Sequence, residues 1–312
     1  MIVTPKWLSD FVEEHGADII RQNLGERRIR QMYGLNFYQS KEAAAYLKRH
    51  AQKIVPQGDQ PAYRSLGKTH LVIGDAHARP DQDLSRFTWL GRMVAEIKPD
   101  VIISIGDWAD MPSLSHYDKG HKSFEGRRYL KDIEAANKAL ELFHKELPGC
   151  YHPKLVQITG NHENRINRTC ENNAVYDGLL STGSLDFEDA GWEVVPFLHY
   201  KEIDGIIYSH YFTAGNTDRP ISGEFAAAAL VRKQLKSCVA GHSHLFDYAR
   251  RTDARGNRVN GLVVGCYTDA YETYAGPSNA IWWRGICVLR NVNNGDYDLE
   301  THSIGAIQER WG

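Results

Sequence analysis

A chain of 312 residues, 42% of them hydrophobic, is long enough for one large domain, or a domain with a small appendage, around a substantial core. Its formal net charge of -2 gives no global pull toward nucleic acid or a membrane surface, and no apolar run approaches the roughly 18 residues that cross a bilayer, so a soluble protein with no membrane partner is expected. The charge is uneven, however: residues 1 to 68 carry 11 Lys/Arg against 7 Asp/Glu, a modestly basic front on a modestly acidic body.

In chain order, residues 7 to 24 and 26 to 50 hold helix formers with apolar positions at helical spacing, among them Leu8, Phe11, Val12, Ile19, Ile20 and Leu24. A break at Tyr33-Gly34-Leu35-Asn36 separates Arg27 to Met32 from Ser40 to His50, and Ser40 is the expected N-cap of the later helix. Helix, Gly-containing turn and helix, with Arg27, Arg28, Arg30, Lys41, Lys48 and Arg49, fit a DNA-binding helix-turn-helix. A helical cap or oligomerisation arm with a solvated basic face is the competing reading. Pro56, Gly58, Pro61 and Gly67 mark residues 51 to 67 as a linker, dividing the chain into a helical front (1–66) and a body (67–312).

In the body, strand and helix patterns alternate. Leu71 to Ile73, Val101 to Ile105 and Leu155 to Ile158 read as strands; helices are expected over Leu84 to Ile97 and Leu130 to Phe143. Ile206 to Tyr208 and Cys238 to Ala240 are further strands, the second reached through helix-prone Gly223 to Lys236. Leu262 to Val264 follows, and then Ile286 to Leu289 pairs with Tyr297 to Thr301 through an Asn293-Asn294-Gly295 turn. A βαβ start and a hairpin-rich finish predict a mixed sheet, or two sheets packed between helices. The five cysteines form no close pairs and no secretory leader precedes them, so a reducing, cytoplasmic compartment is expected and structural zinc is not.

The chemistry gathers where strands stop. The first ends in Gly74-Asp75-Ala76-His77, the second in Gly106-Asp107-Trp108-Ala109-Asp110, the third in Gly160-Asn161-His162-Glu163, and the later ones in Ser209-His210 and Gly241-His242-Ser243-His244. One polar pair at a strand end serves a turn more often than a ligand. Five in series, several behind a glycine that admits a tight turn, are not required by packing. Asp75, His77, Asp107, Asn161, His210, His242 and His244 offer oxygen and imidazole donors without thiolate, which suits Mn²⁺, Fe or Zn²⁺. Seven donors are too many for one ion and suit two that share a carboxylate, the arrangement used to clamp phosphoryl oxygens.

This ordered series, Asp-x-His, Gly-Asp-x-x-Asp, Gly-Asn-His-Glu, His and Gly-His-x-His, resembles the calcineurin-like metallophosphoesterase superfamily over about residues 69 to 250. The resemblance implies an α/β (α+β) ββ sandwich flanked by helices, with Asp75, His77 and His244 on one metal ion, Asn161, His210 and His242 on the other, and Asp107 bridging them. It also implies that His162 is the general acid for the leaving oxygen. Two departures stand out. Tyr211-Phe212 follows His210 where the family usually has Gly, and Asp110-Met111-Pro112 replaces the Asp-Arg-Gly of its protein Ser/Thr phosphatases, which argues against a phosphoprotein substrate.

The expectation is therefore a two-metal phosphoesterase, Mn²⁺ first, working by attack of a metal-bridging hydroxide. Arg165 and Arg79 are candidate phosphate contacts, and His116, in the long excursion after Asp107, a candidate leaving-group contact. The basic front, with Tyr267, Tyr271, Tyr274, Trp282 and Trp283, favours a nucleic-acid phosphodiesterase or nuclease. The alternatives are a phosphomonoesterase for a nucleotide or other small ester, and a scaffold that keeps the fold without catalysis.

Overall fold

The computed structural model describes residues 4–21, 24–54, 67–215, 217–254 and 256–312. The chain divides into two compact units, Met1–Ser65 and Leu66–Gly312; most of the expected linker, including Pro56, Gly58 and Pro61, lies outside the described residues.

The first unit holds α1 (Lys6–Arg21), α2 (Glu26–Tyr33) and α3 (Phe37–Ile54). Ile19, Ile29 and Leu47 form its core, closed by Phe11, Val12, Ile20, Leu24 and Tyr33. Gly34, at φ 64°, ends α2 in the left-handed conformation that glycine adopts at low cost. Helix α3 starts earlier than expected, at Phe37. Asn36 Oδ1 accepts from the Gln39 amide at 2.9 Å and Gln39 Oε1 from the Asn36 amide at 3.1 Å, a reciprocal capping box. Ser40 therefore sits inside the first turn, where its Oγ donates to the Phe37 carbonyl. Arg27, Arg28, Lys41, Lys48 and Arg49 are exposed.

The second unit is built from two mixed sheets. The larger has the order β11-β10-β1-β2-β3-β4, from β1 (Lys68–Ile73), β2 (Val101–Ser104), β3 (Lys154–Ile158), β4 (Glu193–Val195), β10 (Gly285–Asn293) and β11 (Asp296–Ser303). Strands β1 to β4 run parallel, β10 pairs antiparallel with β1, and β11 pairs antiparallel with β10. The smaller sheet has the order β5-β6-β7-β9-β8, from β5 (Lys201–Ile203), β6 (Ile206–Tyr208), β7 (Ser237–Ala240), β8 (Phe246–Thr252) and β9 (Arg258–Val264).

Alternation along each strand explains the continuous apolar runs. Val72, Ile103, Val156, Cys287 and Leu289 meet Ile206, Tyr208, Val239 and Leu262 in a core between the sheets. The opposite face of the larger sheet, with Leu71, Ile73, Ile102, Ile286 and Val288, is covered by α4 (Ser85–Ile97), α5 (Tyr129–Lys145) and α8 (Ile304–Trp311). Helix α7 (Ala226–Gln234) covers the outer face of the smaller sheet through Ala226 and Leu230, against Ile207, Cys238 and Val263. The layers run helix, sheet, sheet, helix. The turn expected at Asn293-Asn294-Gly295 is a two-residue hairpin with Asn294 and Gly295 at φ 48° and 87°. Helix α6 (Asn164–Asn172), α8, β4, β5 and β8 are additions to the elements expected from sequence.

Candidate metal centre

Parallel strands deliver their C-terminal ends to one edge, which is where α/β sheets keep polar groups. Here β1, β2 and β3 of the larger sheet and β6 and β7 of the smaller one end beside one another. Three ligand-type groups have donor atoms within 4.8 Å of each other: Asp75 with His77 and His244, His77 with Asp107 and His162, and Asp107 with His210 and His242.

The backbone is bent to make this edge. His77, Asp107, His242 and His244 have φ of 48°, 54°, 69° and 59°, a left-handed conformation that costs a non-glycine residue about 1–2 kcal/mol. Strain of this kind persists only where surrounding bonds fix it. The amides of Ala76 and His77 both donate to the Asp107 carbonyl, at 3.0 and 2.8 Å. The buried Glu163 carboxylate accepts from three amides: Asp107 at 3.0 Å, Ala109 at 2.9 Å and Gly160 at 2.8 Å. It thereby ties the turn after β2 to the turn after β3. At Gly160 the reason for glycine is room, and at Gly106 it is room together with a φ of 111°. A Cβ on Gly160 would stand 2.1 Å from Asp107 Oδ1, and one on Gly106 2.6 Å from His210 Nδ1.

On one side, Asp75 Oδ2 lies 3.1 Å from His244 Nε2, and Asp75 Oδ1 accepts from the His242 amide. His77 Nδ1 donates to Asp110 Oδ1 at 3.2 Å, leaving Nε2 as the ligand atom, 3.8 Å from Asp107 Oδ2. Asp75 Oδ2 and His77 Nε2 are both buried without a hydrogen-bond partner. Buried acceptors without a well-placed donor are expensive in a dry site; Asp75 Oδ2 has only the His244 Nε2 contact at 3.1 Å, and a cation between it and His77 Nε2 would satisfy both. On the other side, Asn161 Oδ1 is 2.9 Å from His210 Nε2 and 2.7 Å from His242 Nδ1, and Asp107 Oδ2 is 3.4 Å from His210 Nε2. The His210 ring is aimed by its Nδ1, which donates to the Ile105 carbonyl at 3.0 Å, the outer-shell contact that metal-binding imidazoles use. His210 is thus turned into the cluster despite the Tyr211-Phe212 that follows it.

The electrostatics follow from crowding. Burial alone would raise the Asp107 pKa, but the His162 and His210 charges override it and hold the carboxyl well below its usual range. Burial opposes charge on His210, yet Asp107, Asp75 and Glu163 push its pKa up to about 9. Burial, then the neighbouring His210 charge, brings His242 down to about 4. Burial, then Asp107, pushes Glu163 up to about 7. A divalent ion bound between these groups would take the place of the proton on His210.

His162 Nδ1 donates to the Asp110 carbonyl and to Asp110 Oδ1, both at 2.8 Å, while Nε2 accepts from Arg165 Nη2 at 3.1 Å and lies 3.7 Å from Asp107 Oδ2. Arg165 also donates to the Asp110 and Met111 carbonyls. Arg79 is held among Asp81, Asp110 and Glu272. A cleft of about 1300 Å³ opens over the cluster, and Arg79, Arg165, His162 and Trp282 line it.

His116 is not brought to the cleft: it is exposed, while its neighbours Ser115 and Tyr117, and beyond them His121, line the wall. Tyr267 is a core residue whose hydroxyl donates to the Arg86 carbonyl, and Trp283 packs beside the core between the sheets. The side chain of Tyr274 lies outside the described residues. Trp282 faces the cleft with its ring edge-to-face on His244, centroids 4.3 Å apart. Asp110 and Glu163 are visible in the motifs, but their bridging roles depend on contacts that spacing does not encode. Glu272 has no sequence signal.

No family model matches the chain. It is 27% identical over 184 residues to the "Gene 54 protein" of Mycobacterium phage L5, covering 57% of this chain and 70% of that protein, and equally to the "Gene 54 protein" of Mycobacterium phage D29. Neither name states an activity. A solved crystal structure aligns with 77% of this chain and the whole of its own at 13% identity, with a TM-score of 0.37. Among the described residues no helix is long and apolar enough to cross a membrane. The chain is a mixed α/β protein whose strand ends gather buried Asp and His groups able to hold metal ions.

Proposed function

We propose that the chain is a phosphoester hydrolase of the calcineurin-like type, dependent on two divalent ions, Mn²⁺ first, with a nucleic-acid phosphodiester as substrate. The observation that carries this reading is the placement of Asp107 between two ligand sets: Asp75, His77 and His244 on one side, and Asn161, His210 and His242 on the other. The sandwich of two mixed sheets between helices supports it, as do the orphaned buried atoms of Asp75 and His77.

When bound, the ions would supply Lewis acidity and a lowered water pKa beside the phosphoryl group. In this reading His162 first takes up a solvent proton at Nε2, which ends its acceptance of the Arg165 N–H, and then delivers that proton to the leaving oxygen. Asp110, at 2.8 Å from Nδ1, stabilises the doubly protonated ring that this step needs. Arg165, released from Nε2, is placed to meet charge on the phosphoryl oxygens. Asp107 and Asp110 supply negative charge that holds the neighbouring imidazoles and would hold the cations when bound. The exposed arginines and lysines of α2 and α3 support nucleic acid as the substrate class through phosphate attraction.

A Mn²⁺-supplemented panel of aryl phosphomonoesters, aryl phosphodiesters, and single- and double-stranded DNA and RNA tests this reading. Diester and nucleic-acid cleavage lost on chelation is the expected result. Cleavage of monoesters alone would favour a nucleotide phosphatase, and no turnover with less than one ion per chain would favour a binding scaffold.

A further inference from the structure

The cleft over the Asp/His cluster continues along the excursion of residues 112–131 to the start of α5, and its cations are of two kinds. Arg79 is neutralised by three carboxylates, Arg127 pairs with Asp118 at 2.6 Å, and Arg165 is turned onto His162. Arg128 and Lys131 line the same cleft, exposed, and among the described residues neither has a carboxylate within ion-pair distance. Arg128 gives one N–H to the Arg127 carbonyl at 2.7 Å, and no described carboxylate takes up its remaining donors. A cation already neutralised gains little from a phosphate, whereas an uncompensated one at a cleft wall retains its full attraction for an anion.

Trp282 lies against His244 of the cluster, and exposed Tyr271 lines the same cleft. Aromatic side chains and cations without an ion-pair partner, lining one cleft, are the two components of a single-strand groove, in which bases stack while the backbone is tracked by charge. A duplex keeps its base faces inside its own stack and could not use the aromatic component. The acidic balance of the body, which the cleft lining shares through Asp81, Asp118 and Glu125, also disfavours a long duplex, which needs many cationic contacts.

We propose that the cleft takes single-stranded nucleic acid, Arg128 and Lys131 holding a phosphate that flanks the one at the Asp/His cluster and Trp282 and Tyr271 meeting the bases between them; only the identity of the scissile phosphate rests on the phosphoesterase reading. The test uses the full chain and a double Arg128→Ala, Lys131→Ala variant. Binding of a fluorescein-labelled single-stranded 12-mer is followed by anisotropy without added metal over a series of salt concentrations. Losing the neutralisation of that one phosphate should make the slope of log K against log salt shallower by about 0.7 and weaken binding several-fold at low salt. In Mn²⁺, the ratio of kcat/KM for the 12-mer to that for an aryl phosphodiester should fall by about the same factor. Arg128→Lys with Lys131→Arg should restore both. An unchanged salt slope, or equal losses on the 12-mer and the aryl ester, overturns the subsite. A wild type that cleaves nothing, yet binds the 12-mer through these two cations, overturns the phosphoesterase reading and leaves the groove standing.

Discussion

Gly160→Ala isolates the geometry of the cluster with a single methyl group. The backbone at Gly160 does not require glycine, so the change is purely one of space. The added Cβ would stand 2.1 Å from Asp107 Oδ1 and 2.4 Å from the Asp107 amide nitrogen, against an ordinary contact of 3.4 Å or more. The carboxylate must therefore move by about 1.3 Å. The backbones cannot part freely, because Glu163 binds the amides of both residues. Ligand distances in metal sites hold to within about 0.2 Å, so the displacement far exceeds what coordination tolerates. A misplacement of about 1 Å commonly costs around 100-fold in rate, and overpacking of this kind costs about 1–3 kcal/mol of stability. The assays are Mn²⁺ titration calorimetry, aryl phosphodiester hydrolysis and urea unfolding, with Gly149→Ala as control, since its Cβ would meet nothing within 4 Å. Mn²⁺ affinity and rate within about threefold of wild type in Gly160→Ala would refute the argument that Asp107 is held to a fixed position for metal binding.

Other tests address separate parts of the account. His162→Ala should retain metal by elemental analysis yet slow hydrolysis by about 10²–10⁴-fold, most for esters with poor leaving groups; equal slowing across leaving groups would contradict proton delivery. Removing residues 1–65, the first compact unit, should weaken binding of nucleic acid in a gel-shift assay while sparing cleavage of a small aryl ester, and unchanged binding would reduce that unit to a cap. His70 is buried with its Nδ1 2.7 Å from the Tyr208 hydroxyl and its Nε2 3.1 Å from Asp204. Burial lowers its pKa below the ordinary 6.5, against the pull of Asp204. Its contribution to stability is thus complete above pH 6.5 and declines as pH falls from there through the depressed value. Thermal unfolding from pH 8 to pH 5 should show this fall, and His70→Gln should flatten it.

The strand-end Asp, Asn and His groups were legible because both faces of the central strands are covered. Apolar runs such as Leu71 to Ile73 and Val101 to Ile105 then end sharply, and the first polar groups beyond them fall at one sheet edge. Glycine before Asp107 and Asn161 was legible for the same reason: the cluster is crowded and space is scarce. What could not be read depends on long-range contacts or irregular backbone. Glu163 and Asp110 carry bonds between turns more than 30 residues apart, and no spacing rule gives their partners. His116 and His121 share an excursion without a repeating period, so nothing in the sequence says which one faces the cleft. Both Asn36 and Ser40 can cap a helix, and only the reciprocal bond with Gln39 selects Asn36. Strands β4 and β5 are three residues long, too short to show alternation.

The central claim is that Asp107 stands between two cations, and anomalous diffraction from Mn²⁺-soaked crystals tests it most directly. Two peaks about 3.5–4 Å apart on either side of the Asp107 carboxylate, one beside Asp75, His77 and His244 and the other beside Asn161, His210 and His242, are predicted, and Asp107→Asn should weaken both. No peak at this edge, or ions bound elsewhere with their occupancy unaffected by Asp107→Asn, would contradict the account.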